Sequence, residues 1–161
     1  MIHNKRAYVS RFGGVYEHSQ WVAEKAFDMG PPDPEVLPSV MRQIVEEADQ
    51  DAKLTLLRAH PDLAGKLAKT GALTEESTSE QASAGLDQCT EEEFSAFTEL
   101  NERYKTRFGF PYILAVRGRH RTEILENFKA RVDNTPEVEF REALDQVHQI
   151  AALRLEALFS S

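Results

Sequence analysis

At 161 residues the chain is long enough for one compact domain with a sizeable core, and too short for two ordinary ones. Its 27 Asp and Glu outnumber 19 Lys and Arg, so a formal net charge of -8 argues against nucleic acid as a partner. No stretch approaches the ~20 apolar residues of a membrane span. No apolar segment follows Met1-Ile2-His3-Asn4-Lys5-Arg6 in the manner of a secretory signal. Cys89 is the only cysteine, which excludes an intrachain disulfide and suits a reducing, cytoplasmic setting.

Hydrophobic spacing predicts helices along the whole chain. A short helical pattern surrounds Trp21, and Met29-Gly30-Pro31-Pro32-Asp33-Pro34 then concentrates helix breakers, as expected of an ordered surface loop. Leu37, Val40, Met41, Ile44 and Ala48 mark the next helix, and Leu54 to Leu57 another. Thr90 and Glu93 form a capping box before a stripe of Phe94, Phe97, Leu100, Tyr104 and Phe108, which Gly109 and Pro111 bring to a stop. The run Tyr112-Ile113-Leu114-Ala115-Val116 is expected to be buried, but periodicity leaves open whether it is extended or helical. Ile124, Leu125, Phe128 and Val132 mark a helix closed by Asn134. Thr135, as N-cap, and Pro136, at the first helical position, open a long final helix with Phe140, Leu144, Val147, Ala151, Leu155 and Leu158 on one face. No alternating pattern long enough for a sheet occurs. The expected fold is all-α: a single compact multi-helix bundle over residues 1–161, ending in a long C-terminal helix.

Ready-made chemical motifs are missing. Gly65-Lys66 lacks the earlier glycine and the following Ser or Thr of a phosphate loop, since His60 and Leu67 stand there. The five histidines show no metal-ligand spacing, so no metal is expected. No Gly-x-Ser-x-Gly elbow occurs, and Cys89 has no adjacent histidine to activate it.

Three polar positions ask for a role. His60 ends an apolar helical pattern at a proline, and a residue before proline is pushed out of the helical region. Its ring would complete the helix C-terminus or face a reaction centre. Glu80 fits a capping box with Ser77, yet Thr74, Ser77, Thr78, Ser79 and Gln81 also crowd a helix N-terminus where a small polar ligand would sit. Arg154 lies on or beside the apolar stripe of the last helix. Either its stem covers core while its head reaches water or a buried Glu, or it grips a ligand carboxylate.

Arg58-Ala59-His60-Pro61-Asp62-Leu63-Ala64-Gly65-Lys66, Leu73-Thr74, Glu76-Ser77 and Glu80-Gln81 resemble the 2-oxo-4-hydroxy-4-carboxy-5-ureidoimidazoline (OHCU) decarboxylases of urate breakdown. So do Gly13-Gly14-Val15-Tyr16-Glu17-His18-Ser19, Ala84-Gly85-Leu86-Asp87, Leu100-Asn101 with Tyr104, Phe108-Gly109-Phe110-Pro111, and Ile150-Ala151-Ala152-Leu153-Arg154-Leu155. Gln20 and Cys89 depart from the family pattern without touching a site position. The resemblance implies an all-helical enzyme, often a homodimer, that turns OHCU into (S)-allantoin and carbon dioxide without a cofactor. It implies His60 as catalytic histidine, Glu80 as catalytic glutamate and Arg154 as the substrate-orienting arginine. Substrate contacts are implied at Pro61, Ser77 and Gln81, and along the main chain of Tyr112, Ile113, Leu114, Ala115 and Val116. Some relatives carry a fused hydrolase domain or a terminal Ser-Lys-Leu signal; with neither here, a stand-alone cytoplasmic enzyme is expected. Two other readings stay open: a helical interaction module in which the three residues are caps and ion pairs, and a related enzyme acting on another small ureide.

Overall fold

A computed structural model describes residues 4–60, 90–116 and 119–160. Among them are seven α-helices and no strand, and the last helix is the longest. The all-α expectation is met because nearly every apolar stripe has a helical period and a cap to start or stop it. The chain separates into two compact units, residues 1–60 with 147–161, and residues 61–146.

In the first unit, α1 (Lys5–Phe12) starts at Asn4, whose side chain accepts a hydrogen bond from the Ala7 N–H at 3.2 Å. Sequence spacing did not foretell this helix, because it buries only Tyr8 and Phe12, one turn apart in a polar segment. Their rings meet at 4.7 Å, and Tyr8 also meets Phe27 of α2 (Trp21–Asp28) at 5.4 Å. Between α1 and α2 the chain turns tightly. A Cβ on Gly13 would lie 2.5 Å from the Val9 carbonyl oxygen, and His18 takes a left-handed conformation with φ 56°. The proline-rich segment beyond α2 is helix-free, as expected, until α3 (Leu37–Glu46) buries Leu37, Met41, Ile44 and Val45. Ala48 lies past the end of α3 and is only half-buried.

Asp49 caps α4 (Gln50–Ala59), accepting from the Ala52 N–H at 2.8 Å, and α4 buries Leu56 and Leu57. The C-terminal part of the last helix completes this unit with buried Val147, Ile150, Ala151 and Leu155. His148 fixes its rotation. Nδ1 lies 2.6 Å from the Tyr16 hydroxyl and Nε2 lies 2.7 Å from Glu46. Burial pushes the Tyr16 phenol up, so it stays protonated and donates to Nδ1, and the Nε2–H then donates to Glu46.

In the second unit, α5 (Glu91–Phe108) opens on the capping box read from the sequence. The Thr90 hydroxyl accepts from the Glu93 N–H at 3.1 Å, and the Glu93 carboxylate accepts from the Thr90 N–H at 3.0 Å. Phe97, Leu100 and Tyr104 are buried as the stripe requires, whereas Phe94, in the first turn, is 37% exposed. Gly109 ends α5 with φ 78°, the left-handed cap that only glycine adopts without cost. After the extended cap residue His120, α6 (Arg121–Arg131) buries Ile124 and Phe128. The last helix, α7 (Pro136–Ser160), begins where Thr135 accepts from the Val138 N–H at 3.4 Å.

The α5 cap carries a pH dependence. The Thr90 N–H and then Arg121, whose Nε lies 2.9 Å from Glu93, hold the Glu93 carboxyl below the usual carboxylate range. A carboxyl lowered on folding stabilises the fold at pH above its unfolded value, and that contribution is lost as pH falls through the lowered value. Glu93→Gln should therefore melt below the wild type at pH 7, and the difference should close at acid pH, where Glu93 is itself neutral. A difference that persists unchanged at pH 2 would show that Glu93 acts by another route.

Candidate active site

His60 follows α4 in an extended conformation, φ -71° and ψ 136°, as its place before Pro61 requires. Its N–H donates to the Leu57 carbonyl at 3.2 Å, which closes the helix through the backbone. The backbone cap thus leaves the choice between capping and chemistry to the half-buried imidazole.

Arg154 is buried on α7. Nη2 lies 3.0 Å from the Glu17 carboxylate, with side chains only 5% and 2% exposed, and Nη1 lies 3.4 Å from the Gly14 carbonyl. The tight turn at Gly13 and the left-handed His18 bracket the segment that supplies both acceptors. Of the readings open for Arg154, the buried glutamate is therefore realised. A guanidinium has five N–H donors in a fixed fork, enough to hold Glu17 and a ligand carboxylate together. Glu17 is a partner that spacing did not reveal; the only signal was its place inside the motif Gly13 to Ser19.

In the second unit, residues 110–116 form neither helix nor strand, and all of Tyr112 to Val116 are buried, as expected. The ring of Tyr112 stacks on Phe128 at 3.8 Å with an interplanar angle of 9°, and its hydroxyl donates to Asn127 at 2.5 Å. The main chain is held by side chains. Gln146 accepts from the Ala115 N–H at 2.9 Å, Arg119 Nε donates to the Ala115 carbonyl at 3.2 Å, and Arg131 Nη1 donates to the Ile113 carbonyl at 2.5 Å.

Arg131 is itself locked. Glu139 is fully buried and accepts from Arg131 Nε at 2.8 Å and Nη2 at 2.5 Å, from Asn134 at 3.0 Å and from the Tyr104 hydroxyl. Burial pulls the Arg131 guanidinium down, but the hydrogen bonds and charge of Glu139 outweigh it and leave Arg131 above its ordinary value. The guanidinium also lies 4.7 Å from the centre of the Tyr112 ring. None of Arg119, Arg131, Glu139 and Gln146 was singled out from the sequence, since a polar residue beside an apolar stripe looks the same whether it faces solvent or core.

Pro61, Ser77, Glu80 and Gln81 lie outside the described residues, as does Cys89. Among the described residues no group of three or more His, Cys, Asp or Glu could hold a metal ion, and no helix is long and apolar enough to cross a membrane.

This all-helical chain shares its fold with solved enzymes. A crystal structure of an OHCU decarboxylase in the presence of (S)-allantoin matches with a TM-score of 0.76 and 26% identity, covering 98% of this chain and 99% of that one. A crystal structure of an (S)-allantoin synthase matches with a TM-score of 0.77 and 35% identity over 96% of this chain, which spans 50% of that one. Among curated relatives, the 2-oxo-4-hydroxy-4-carboxy-5-ureidoimidazoline decarboxylase of Haloferax volcanii is 45% identical over 96% of this chain and 90% of its own length. The uric acid degradation bifunctional protein PucL of Bacillus subtilis is 39% identical over 89% of this chain and 28% of its own length. The family model described as OHCU decarboxylase matches residues 3–156. The chain belongs to the OHCU decarboxylase family.

Proposed function

We propose that residues 1–161 act as one decarboxylase domain that converts OHCU to (S)-allantoin and carbon dioxide, the last step of urate oxidation, without a cofactor. Family membership over residues 3–156 is the observation that carries the reaction. Loss of carbon dioxide leaves an electron pair on the former carboxyl-bearing carbon, and the adjacent imine of the substrate accepts it. The protein then has positioning and proton control to supply.

In this reading Arg154, held by Glu17, orients the polar substrate. His60 exchanges a proton with the substrate hydroxyl, an imidazole with a reference pKa of ~6.5 being suited to do so near neutral pH. Glu80 hydrogen-bonds the hydroxyl or ureido group, while Pro61, Ser77 and Gln81 line the substrate. The main chain of Tyr112 to Val116 reads the flat ring and its ureido arm. Leu114 supports this last assignment: it is 4% exposed, and among the described residues no hydrogen bond reaches its N–H or its carbonyl. Buried backbone groups are nearly always paired, so such a pair suits a ligand with its own donor and acceptor. A cytoplasmic homodimer is the assembly and location that go with this reading.

The test is chiral. OHCU is generated in place from urate by the two upstream enzymes, and circular dichroism follows the allantoin formed. Rapid appearance of the (S) enantiomer is expected; racemic allantoin at the spontaneous rate, from folded protein, would overturn the activity.

A further inference from the structure

Ile113 and Ala115 are held by side chains and Leu114, between them, is not. Residues 110–116 form neither helix nor strand, so their backbone groups depend on side chains or a ligand for partners. Gln146 on the Ala115 N–H, Arg119 on the Ala115 carbonyl and Arg131 on the Ile113 carbonyl hold the backbone immediately before and after Leu114.

We propose that Gln146, Arg119 and Arg131 are positioning residues, which hold Ile113 and Ala115 so that the Leu114 N–H and carbonyl face the substrate together as one donor–acceptor pair. This inference rests on the reading of Tyr112 to Val116 as substrate contacts. The complementary chemistry is an amide or urea edge, which offers an N–H beside a carbonyl and so matches the N–H and carbonyl of one residue. Arg131 is the deepest of the three anchors because Glu139 fixes its guanidinium at two nitrogens. Arg119 is the shallowest, since it is only half-buried. Rotating the segment by a few tens of degrees would break both hydrogen bonds to the ligand while leaving the apolar side chains of Ile113 and Leu114 in the core.

Gln146→Met keeps the volume and removes the acceptor, and Arg119→Met removes the donor at a half-buried position. Each removes one of three anchors and so loosens the pair without abolishing it, and should raise KM for OHCU by up to about ten-fold, with kcat changed less. Arg119→Lys, which still donates to the Ala115 carbonyl, should restore most of KM. Unchanged KM in a folded Gln146→Met protein would overturn the inference. If that variant does not fold, an unchanged KM in Arg119→Met overturns it equally. A wild type that leaves OHCU to decay at its spontaneous rate would overturn the proposed activity and this inference with it, so the two failures are distinguishable.

Discussion

His60→Asn should reduce turnover of OHCU by about 10² to 10⁴-fold, the usual contribution of a positioned proton donor or acceptor, while helicity and thermal midpoint stay near those of the wild type. The two halves of this result come from different parts of the residue. Closure of α4 uses the His60 N–H, which asparagine also has, donating to the Leu57 carbonyl at 3.2 Å. Its extended backbone follows from the proline that comes next, and asparagine accepts that restriction as readily. What asparagine lacks is a ring that takes up and returns a proton near neutral pH. Steady-state rates on freshly generated OHCU, with far-ultraviolet circular dichroism of the same sample, check both halves. A folded variant with undiminished turnover would remove His60 from the chemistry and return it to a helix end.

Glu139→Gln should destabilise the protein by about 3–5 kcal/mol, the effect of leaving a buried guanidinium without its counter-charge. Glu139 is 0% exposed, and four hydrogen-bond donors converge on it: two nitrogens of Arg131, the Asn134 amide and the Tyr104 hydroxyl. Glutamine matches the shape but replaces one acceptor oxygen by a donor and removes the charge. For a chain of this length the thermal midpoint should fall by roughly 10 °C. The contrast is the pair Lys129–Glu126, 3.7 Å apart with side chains 53% and 77% exposed. Glu126→Gln should move stability by less than about 0.5 kcal/mol, because water screens the pair and both side chains lose rotamer freedom in forming it. Urea unfolding of the two variants side by side measures the difference. Equal small effects would show that Arg131 finds another partner once Glu139 is neutral.

Helix boundaries were legible wherever a local signal marks them. The Thr90–Glu93 box, the glycine stop at Gly109 and the opening of the last helix at Thr135-Pro136 involve residues within four positions of one another, so spacing alone identifies them. The N-terminal helix escaped notice because Tyr8 and Phe12 are too few to make a stripe. Its support comes from Phe27, on another helix.

The site divides in the same way. His60 is odd in the sequence because it precedes a proline at the end of an apolar pattern, and Arg154 because it interrupts an apolar face; the family motifs then connect them with one reaction. Their partners are a different matter. Glu17 meets Arg154 across more than a hundred residues of chain, Gln146 meets Ala115 from the last helix, and the Glu139 carboxylate gathers donors from three segments. The sequence by itself determined the helical class, most caps and the family, since these depend on local periodicity and on motifs that survive as strings. Only the tertiary structure decided which polar groups are buried in pairs and which side chains hold residues 113 and 115, because a buried charge is tolerated only where the fold brings its counter-charge to it.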